Sequence, residues 1–356
     1  MKITRIEVIP KEFNLRYPSA VAYAVEETAA NLIVRVDTSD GLTGWGNCAP
    51  DPVVTGERIE DVRAFLEGPA REMLIGQEAD RISALDVRLQ EGPGKAFPAA
   101  RAGINIALLD LWGKRMGKPV YRLLGACRDR IATSMTVGLG EPAFMVERAK
   151  EYQAQGFQAL KIKIGTRWEE DLDRVVKIRE AVGGEIELRL DANQAYSAGD
   201  ALKLIEALEG HNIEFLEQPT PAKNLDALRE VSTRSSIPIM ADESAVDLED
   251  ASRVARGRCA RLINIKLMKA GGVTAATAIN RVAEVEGLPA MIGCMDESVI
   301  SIAAGLHFAL SHGNVRYADL DGHFDLIDDV ASGGVKLEGG VLIPSNEAGF
   351  GFQVRL

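Results

Sequence analysis

Short apolar runs alternate with amphipathic segments along the middle and later parts of the chain. Between most of these runs lie segments with helical spacing, such as 169–182 and 200–208. Strands that alternate with helices are joined by right-handed crossovers and form a parallel sheet, and eight of them can close into a barrel. The pattern predicts eight strands, at 132–137, 159–164, 186–190, 213–216, 237–240, 262–265, 290–292 and 315–318.

The two ends of the chain follow different patterns. Residues 2–10 and 30–38 alternate like strands, and the second is followed by an Asp40-Gly41 turn. Helical spacing then runs over 56–117, and a glycine-rich hairpin is predicted near the C-terminus. We predict three parts: an α+β capping domain at 1–125, a barrel at 126–325, and a segment at 326–356 that returns to the capping domain.

Composition and charge narrow the class of protein. The chain has 356 residues, of which 46% are hydrophobic and 26% charged, and it contains no apolar run long enough to span a membrane. The N-terminus lacks the features of a signal peptide, so we expect a cytoplasmic protein. A net charge of −11 disfavours nucleic acid and anionic membranes as partners. The four cysteines form no C-x-x-C pair, which argues against a structural zinc site.

Ionisable residues stand at or just after the ends of five successive predicted strands. Neighbouring members of this series are 24 to 28 residues apart, one β/α unit each: Lys163, Asp191, Glu217, Asp242 and Lys266. Active sites of β/α barrels lie at the carboxyl ends of the strands, so these side chains are expected to converge on one pocket. A single acid of this kind could equally be a solvated loop residue or a helix cap, but three in series favour a shared site.

The three carboxylates suggest a metal centre. Asp191, Glu217 and Asp242 provide only oxygen donors, with no His or Cys close by in the sequence. Hard divalent cations prefer such donors. We therefore predict one Mg²⁺ ion per active site.

The lysines suggest acid–base chemistry at carbon. Lys161 and Lys163 alternate on one face of a strand directed into the barrel, and a second ammonium and a metal cation would both lower the pKa of Lys163 towards that of a base. Lys266 comes from the opposite side of the barrel, although a lysine at a strand end can also be a surface residue. Two lysines across a metal-held carboxylate predict removal of an α-proton from one face and its return to the other, with the metal stabilising the enediolate.

The sequence resembles the enolase superfamily, specifically its muconate-lactonizing-enzyme subgroup. The resemblance covers nearly the whole chain and rests on Lys161-Ile162-Lys163, Asp191-Ala192-Asn193, Glu217-Gln218-Pro219, Ala241-Asp242-Glu243-Ser244 and Asn264-Ile265-Lys266. It implies a modified TIM barrel of (β/α)7β type with an α+β capping domain, a lysine base, Mg²⁺ and a homo-oligomer. It also implies that Asn193 and Glu243 lie just behind the metal ligands.

Within that subgroup, Asp319-Leu320-Asp321 resembles the Asp-x-Asp signature of the dipeptide epimerases. The resemblance implies that this pair binds the free α-ammonium group of a dipeptide, whose C-terminal residue is inverted at its α-carbon starting from the L,L form. Two exposed aspartates at a strand end are the simpler interpretation. Other open alternatives are N-acylamino-acid racemisation, o-succinylbenzoate synthesis, muconate cycloisomerisation, or a metal-binding barrel that serves as a binding module.

Acidic residues near the predicted pocket bear on the substrate. The resemblance implies a mobile loop near residue 20, in which family members that epimerise alanyl-glutamate carry an arginine for the acidic side chain; residues 19–27 contain no arginine but do contain Glu26 and Glu27. Together with Asp51 and Asp296 they suggest a dipeptide with cationic Lys or Arg side chains. Alternatively, Asp296 or its neighbour Glu297 pairs with Lys266 and tunes that lysine.

Overall fold

A long antiparallel hairpin begins the chain in the computed structural model, which describes residues 1–356. Strand β1 (Ile3–Val21) pairs with β2 (Ala24–Thr38), which also pairs with β3 (Thr43–Cys48). The predicted strands 2–10 and 30–38 are therefore parts of longer strands, and the loop expected at 19–27 is the end of the hairpin. Only β1 and β2 pair at this end of the hairpin, and Val25, Glu26 and Glu27 are all exposed. This stretch of sequence therefore lacks the alternation of apolar and polar residues that is typical of a half-buried strand.

A group of helices packs against this sheet, and the longest of them, α4, lies directly on β3. The approach is very close, because a Cβ atom on Gly46 would lie 1.8 Å from the carbonyl oxygen of Gly103. Only glycine permits such contact between a strand and a helix backbone. The helices are α1 (Ile59–Phe65), α2 (Arg71–Leu74), α3 (Ile82–Gln90), α4 (Pro98–Met116) and α5 (Val120–Leu123), with a π-helical turn at Leu66–Ala70 and a 3₁₀ turn at Pro93–Ala96.

An eight-stranded parallel sheet forms the rest of the predicted core. All neighbouring strands are parallel and follow chain order, and a parallel bridge between Thr133 and Ala318 joins the first strand region to the last. This confirms the predicted (β/α)7β barrel. The strand bounds are β5 (Met135–Val137), β6 (Ala159–Lys163), β7 (Glu187–Asp191), β8 (Ile213–Glu217), β9 (Ile239–Ala241), β10 (Leu262–Lys266), β11 (Ala290–Gly293) and β12 (Val315–Asp319).

Seven helical connections surround these strands. They are α6 (Pro142–Ala154), α7 (Trp168–Val182), α8 (Ala198–Ala207), α9 (Leu225–Arg234), α10 (Leu248–Arg256), the pair α11 (Leu267–Ala270) and α12 (Val273–Val285), and α13 (Val299–Ser311). Helix α13 is buried from Val299 to Leu310, because the C-terminal strands and the capping helices pack around it. None of the helices is both long and apolar enough to cross a membrane.

The predicted strand at 132–137 is divided in the structure. Its first part, β4 (Ile131–Ala132), pairs with β15 of a C-terminal hairpin, and only its second part, β5, pairs with the barrel. The hairpin consists of β14 (Val335–Glu338) and β15 (Val341–Pro344) and confirms the glycine-rich turn predicted from the sequence. A further pair, β13 (Ala331–Gly333) with β16 (Phe352–Val354), completes the C-terminal strands.

The C-terminal segment also contacts the N-terminal part of the chain. The Val120 N–H donates to the Gly349 carbonyl (2.9 Å), and the Gly349 N–H donates to the Lys118 carbonyl (3.1 Å). One cluster of 93 buried apolar residues runs through the N-terminal helices and the barrel without a break. The domain boundaries after residues 125 and 325 stay a prediction.

Candidate active site

Three buried carboxylates lie side by side at one rim of the barrel. Asp191 ends β7, Glu217 ends the neighbouring β8, and Asp242 follows the last residue of β9. The register places Asp191 directly opposite Glu217, and none of the three is measurably exposed to solvent. Parallel strands with matching ends therefore bring together the three acids that the sequence predicts as metal ligands.

Lysine ammonium groups lie among these acids. Lys161 Nζ is 3.0 Å from Asp191 Oδ2 and 3.0 Å from Glu217 Oε2, and Lys266 Nζ is 2.9 Å from Asp242 Oδ2. Burial alone would lower the pKa of both lysines, but Asp191 beside Lys161 and Asp242 beside Lys266 raise the pKa of each well above its usual value.

The donor set fits a hard divalent cation. Glu217 Oε2 and Asp242 Oδ2 are fully buried, and the only partner of each is a lysine ammonium group in ion-pair contact, Lys161 and Lys266 respectively. Burial, followed by the charge of Asp191, raises the pKa of Glu217 to about 8. With the lysine ammonium groups among them, the three acids are not arranged as a preformed metal site. Carboxylates crowded in a dry site need a compensating cation, and oxygen-only donors suit Mg²⁺.

The two candidate bases approach from opposite sides. Lys163 is on β6 and Lys266 on β10, four places apart in the eight-stranded order. Lys163 Nζ donates to Asp191 Oδ2 (2.8 Å) and to Asn193 Oδ1 (3.0 Å), while Lys266 contacts Asp242. Both lysines line one cavity that is open to solvent. A ligand bound over the carboxylates would therefore have a lysine on each side.

Asn193 and Glu243 lie beside the acids, and Asn193 also lines the cavity. Asn193 Nδ2 donates to Glu243 Oε1 (3.3 Å), and the Asn193 N–H donates to Asp191 Oδ1 (3.0 Å). Burial and the nearby Asp242 raise the pKa of Glu243 to about 7.

Glu297 is also buried, and burial raises its pKa to about 8. The alternative in which Asp296 or Glu297 pairs with Lys266 is not observed. The ion-pair partner of Lys266 is Asp242, although the charge of Lys266 opposes the raised pKa of both Asp296 and Glu297.

Asp319 ends β12, Asp321 follows it by two residues, and both line the cavity. Asp319 accepts hydrogen bonds from Ser134 Oγ (2.6 Å) and Lys161 Nζ (2.9 Å), and although burial would raise its pKa, Lys161 lowers it. Asp321 accepts only the Thr136 N–H (2.7 Å) and a distant contact from the Cys294 thiol. Burial and the charge of Asp319 raise the pKa of Asp321 to about 7. The two aspartates are thus buried groups of the pocket, and the simpler interpretation of exposed strand-end acids is wrong.

An acidic group forms another side of the cavity. Glu26 from the hairpin, Asp51 from the loop after β3, and Asp296 from the loop after β11 all line it, whereas Glu27 does not. Burial raises the pKa of Glu26, and the negative charges of Asp51 and Asp296 raise it further. None of them has a Lys or Arg nitrogen within ion-pair distance, because the lysines of the cavity pair with the rim carboxylates and Asp319. One oxygen of Asp51 accepts the N–H groups of Val53 and Val54 within its own turn.

Sequence reasoning missed several residues that build the site. Lys269 contacts Asp242 from the first turn after β10, and Arg189 donates to Ser134 Oγ (3.1 Å) in the barrel interior. Lys269 had a signal, since it follows Lys266 by three residues in an otherwise apolar run. Arg189 had one too, since it precedes Asp191 by two residues and so faces the same side of its strand.

These features are typical of enolase-type barrel proteins: an eight-stranded barrel with an α+β cap, three acids on successive strand ends, and lysines on both sides of them. A family model described as the mandelate racemase / muconate lactonizing enzyme N-terminal domain matches residues 3–125, and one described as enolase C-terminal domain-like matches residues 144–356. The chain belongs to the mandelate racemase / muconate lactonizing enzyme family of the enolase superfamily.

Two named epimerases are among the proteins that this chain resembles. The chain is 40% identical to the hydrophobic dipeptide epimerase of Enterococcus faecalis, with 98% of each chain covered, and 40% identical to the L-Lys-D/L-Arg epimerase of Methylococcus capsulatus, with 99% of each covered. Among solved structures, a dipeptide epimerase from Methylococcus capsulatus complexed with Mg and the dipeptide L-Arg-D-Lys superposes with a TM-score of 0.93 at 39% identity and 99% coverage of both chains.

Proposed function

We propose that the protein is a Mg²⁺-dependent dipeptide epimerase, an isomerase that inverts the α-carbon of the C-terminal residue of an L,L-dipeptide by two-base proton transfer. The observation that carries this proposal is the placement of Lys163 and Lys266 on opposite sides of one carboxylate cluster inside one cavity. Binding alone would need neither base, which disfavours a metal-binding module without catalysis. The resemblance to named dipeptide epimerases over the whole chain supports the same reaction.

Asp191, Glu217 and Asp242 would hold the Mg²⁺ ion. When bound, the ion supplies positive charge for the substrate carboxylate as the α-carbon loses its proton. The carboxylates would then no longer need the lysines as their cations. Burial of Lys266 opposes its charge and Asp242 restores it, so with Asp242 engaged by a metal ion the pKa of Lys266 would be lower and closer to the range in which a lysine acts as a general base. One lysine removes the α-proton and the other donates a proton to the opposite face.

Asp321, with Asp319 beside it, would bind the free α-ammonium group of the dipeptide. Asp321 is buried and has no cationic partner of its own, while Asp319 already receives Lys161. A substrate ammonium group supplies the missing charge and lowers the raised pKa of Asp321. Substrates of N-acylamino-acid racemases, o-succinylbenzoate synthases and muconate cycloisomerases have no such group, so this carboxylate favours the epimerase over those reactions.

The acids Glu26, Asp51 and Asp296 favour a cationic side chain on the substrate. Three carboxylates without an ion pair repel one another, and a Lys or Arg side chain would relieve that repulsion. Of the two named relatives above, this resembles the specificity of the L-Lys-D/L-Arg enzyme rather than that of the hydrophobic dipeptide enzyme. A cytoplasmic homo-oligomer is part of the proposal and follows from the family resemblance.

Proton NMR in D₂O with Mg²⁺ tests the proposal on Ala-Glu, Ala-Leu, Ala-Lys and Arg-Lys. We expect deuterium at the α-carbon of the C-terminal residue together with epimerisation, fastest for the two dipeptides that end in lysine. Preference for Ala-Glu or Ala-Leu would contradict the cationic pocket but not the epimerase. Absence of exchange in every dipeptide, with exchange in N-acyl amino acids, would contradict the dipeptide assignment.

A further inference from the structure

Lys269 is a buried cation that the proposed chemistry does not use. It lies in the short helix α11, directly after β10, and is 3% exposed. Its ammonium group meets three acceptors: Asp242 Oδ1, the Asp242 carbonyl (2.7 Å) and the Asn264 carbonyl (3.2 Å). An ammonium group has three protons, so all of them have a partner within the protein. This arrangement fixes the group in place and leaves it no proton free for a ligand.

The contacts of Lys269 divide the Asp242 carboxylate into two different oxygens. Oδ1 is held by Lys269, whereas Oδ2 accepts no hydrogen bond and lies 2.9 Å from the candidate base Lys266. The backbone N–H of Asp242 is fixed independently by Gln218 Oε1 (3.0 Å). One oxygen of this carboxylate is therefore anchored by Lys269, and the other has only the ammonium group of Lys266 beside it.

The same ammonium group also supports a second acid. It binds the carbonyl of Asn264, whose side-chain Nδ2 donates to Glu217 Oε1 (2.6 Å). Glu217 is thereby arranged like Asp242, with one oxygen held and the other, Oε2, without a hydrogen bond. Lys269 thus connects the strands that carry two of the three acids.

We propose that Lys269 is a positioning residue of the metal centre, which orients Asp242 directly and Glu217 through Asn264 so that one oxygen of each faces the cation. The inference rests on the proposed Mg²⁺ site. A positioning role for Lys269 differs from a role in charge balance alone. If Lys269 only balanced charge, its loss would remove a repulsive cation and Mg²⁺ would bind as well as before or more tightly. If it positions the ligands, its loss weakens Mg²⁺ binding despite the more negative site.

Calorimetric titration of Mg²⁺ into the substrate-free protein distinguishes the two roles. We expect Lys269→Met to weaken Mg²⁺ binding about tenfold or more, in the range found when a group that orients metal ligands is removed. Lys269→Arg keeps the charge but cannot place three protons on the same three acceptors, so it should weaken binding as well. Lys150→Met, at an exposed lysine of α6, is the matched control and should bind Mg²⁺ like the wild type.

Thermal melts and circular dichroism establish that each variant is folded before its titration is interpreted. Lys269→Arg keeps the test decisive if Lys269→Met does not fold. Unchanged or tighter Mg²⁺ binding by either folded variant would overturn the positioning role. A wild-type protein that binds no Mg²⁺ would instead overturn the proposed metal site, and the positioning role with it.

Discussion

Replacing Asp296 with asparagine should selectively reduce the use of cationic substrates. The side chain lies in the cavity with Glu26 and Asp51, and burial raises its pKa above the usual value, although a hydrogen bond with Ser19 and the charges of Lys163 and Lys266 oppose the shift. Asparagine keeps the size and the hydrogen-bonding capacity but removes the charge. The change therefore tests the electrostatic contribution of one carboxylate to the pocket.

The size of the effect follows from the position of Asp296. A contact pair near a protein surface is worth about 4 kcal/mol at an effective dielectric constant of about 20. Desolvation of the substrate ammonium offsets part of this, and Glu26 and Asp51 still attract it, so a loss of about 1.5–3 kcal/mol remains. This corresponds to a decrease of roughly 10- to 100-fold in kcat/KM for Ala-Lys. Ala-Leu, which places no charge there, should change by less than about threefold.

Initial rates of deuterium incorporation at the α-carbon measure both substrates in the same assay. Glu27→Gln is the matched control, because Glu27 belongs to the same hairpin but does not line the cavity. An equal loss for Ala-Lys and Ala-Leu would assign Asp296 a structural role. No change for Ala-Lys would refute the electrostatic reasoning and, with it, the cationic pocket.

Three further changes test other parts of the structure. Asp321→Asn should lower kcat/KM for free dipeptides about 10-fold or more and leave any activity on N-acetylated analogues unchanged, since only the former carry an ammonium group; equal losses in steady-state assays would contradict this. Glu57 accepts the Ala99 N–H at the start of α4, and burial raises its pKa to about 7. Ionisation of this carboxyl therefore lowers the free energy of unfolding: the loss is absent below pH 4.5, grows between pH 4.5 and pH 7, and reaches at most about 3 kcal/mol. Glu57→Gln should therefore be more stable than the wild type in urea at pH 8 but not at pH 4.5, and an equal difference at both pH values would disprove the assignment. Gly46→Ala should destabilise the protein by about 3 kcal/mol or more in the same assay, because its Cβ would overlap the Gly103 carbonyl; near-wild-type stability would show that β3 and α4 can move apart.

The barrel could be predicted because its signals are local. Each strand is a short apolar run bounded by turns, and the ionisable residues from Lys163 to Lys266 recur at the interval of one β/α unit. Matching strand ends in a parallel sheet then bring Asp191, Glu217 and Asp242 together without further information. The order of the acids along the chain is therefore their order around the rim.

Other features depend on contacts that no local pattern records. No residue of the hairpin end at 19–27 is buried and its sequence does not alternate between apolar and polar residues, so its strands could not be distinguished from a loop. The pKa of Lys266 is raised by Asp242, a residue of the neighbouring strand end, and this contact exists only in the folded barrel. Lys269 could be noticed from its spacing, but its link to Glu217 passes through the backbone of Asn264 and the fold of two neighbouring strands.

The central claim is that Lys163 and Lys266 act on opposite faces of one α-carbon. It is tested most directly by Lys163→Ala and Lys266→Ala, each incubated in D₂O with Mg²⁺ and, separately, with the L,L and L,D forms of the dipeptide that the wild type uses best. The account predicts that epimerisation falls by about 10³-fold or more in both variants. Each variant should still exchange the α-proton of one form, and that form should differ between the two. Continued epimerisation by either variant, or exchange of the same form by both, would contradict the two-base mechanism.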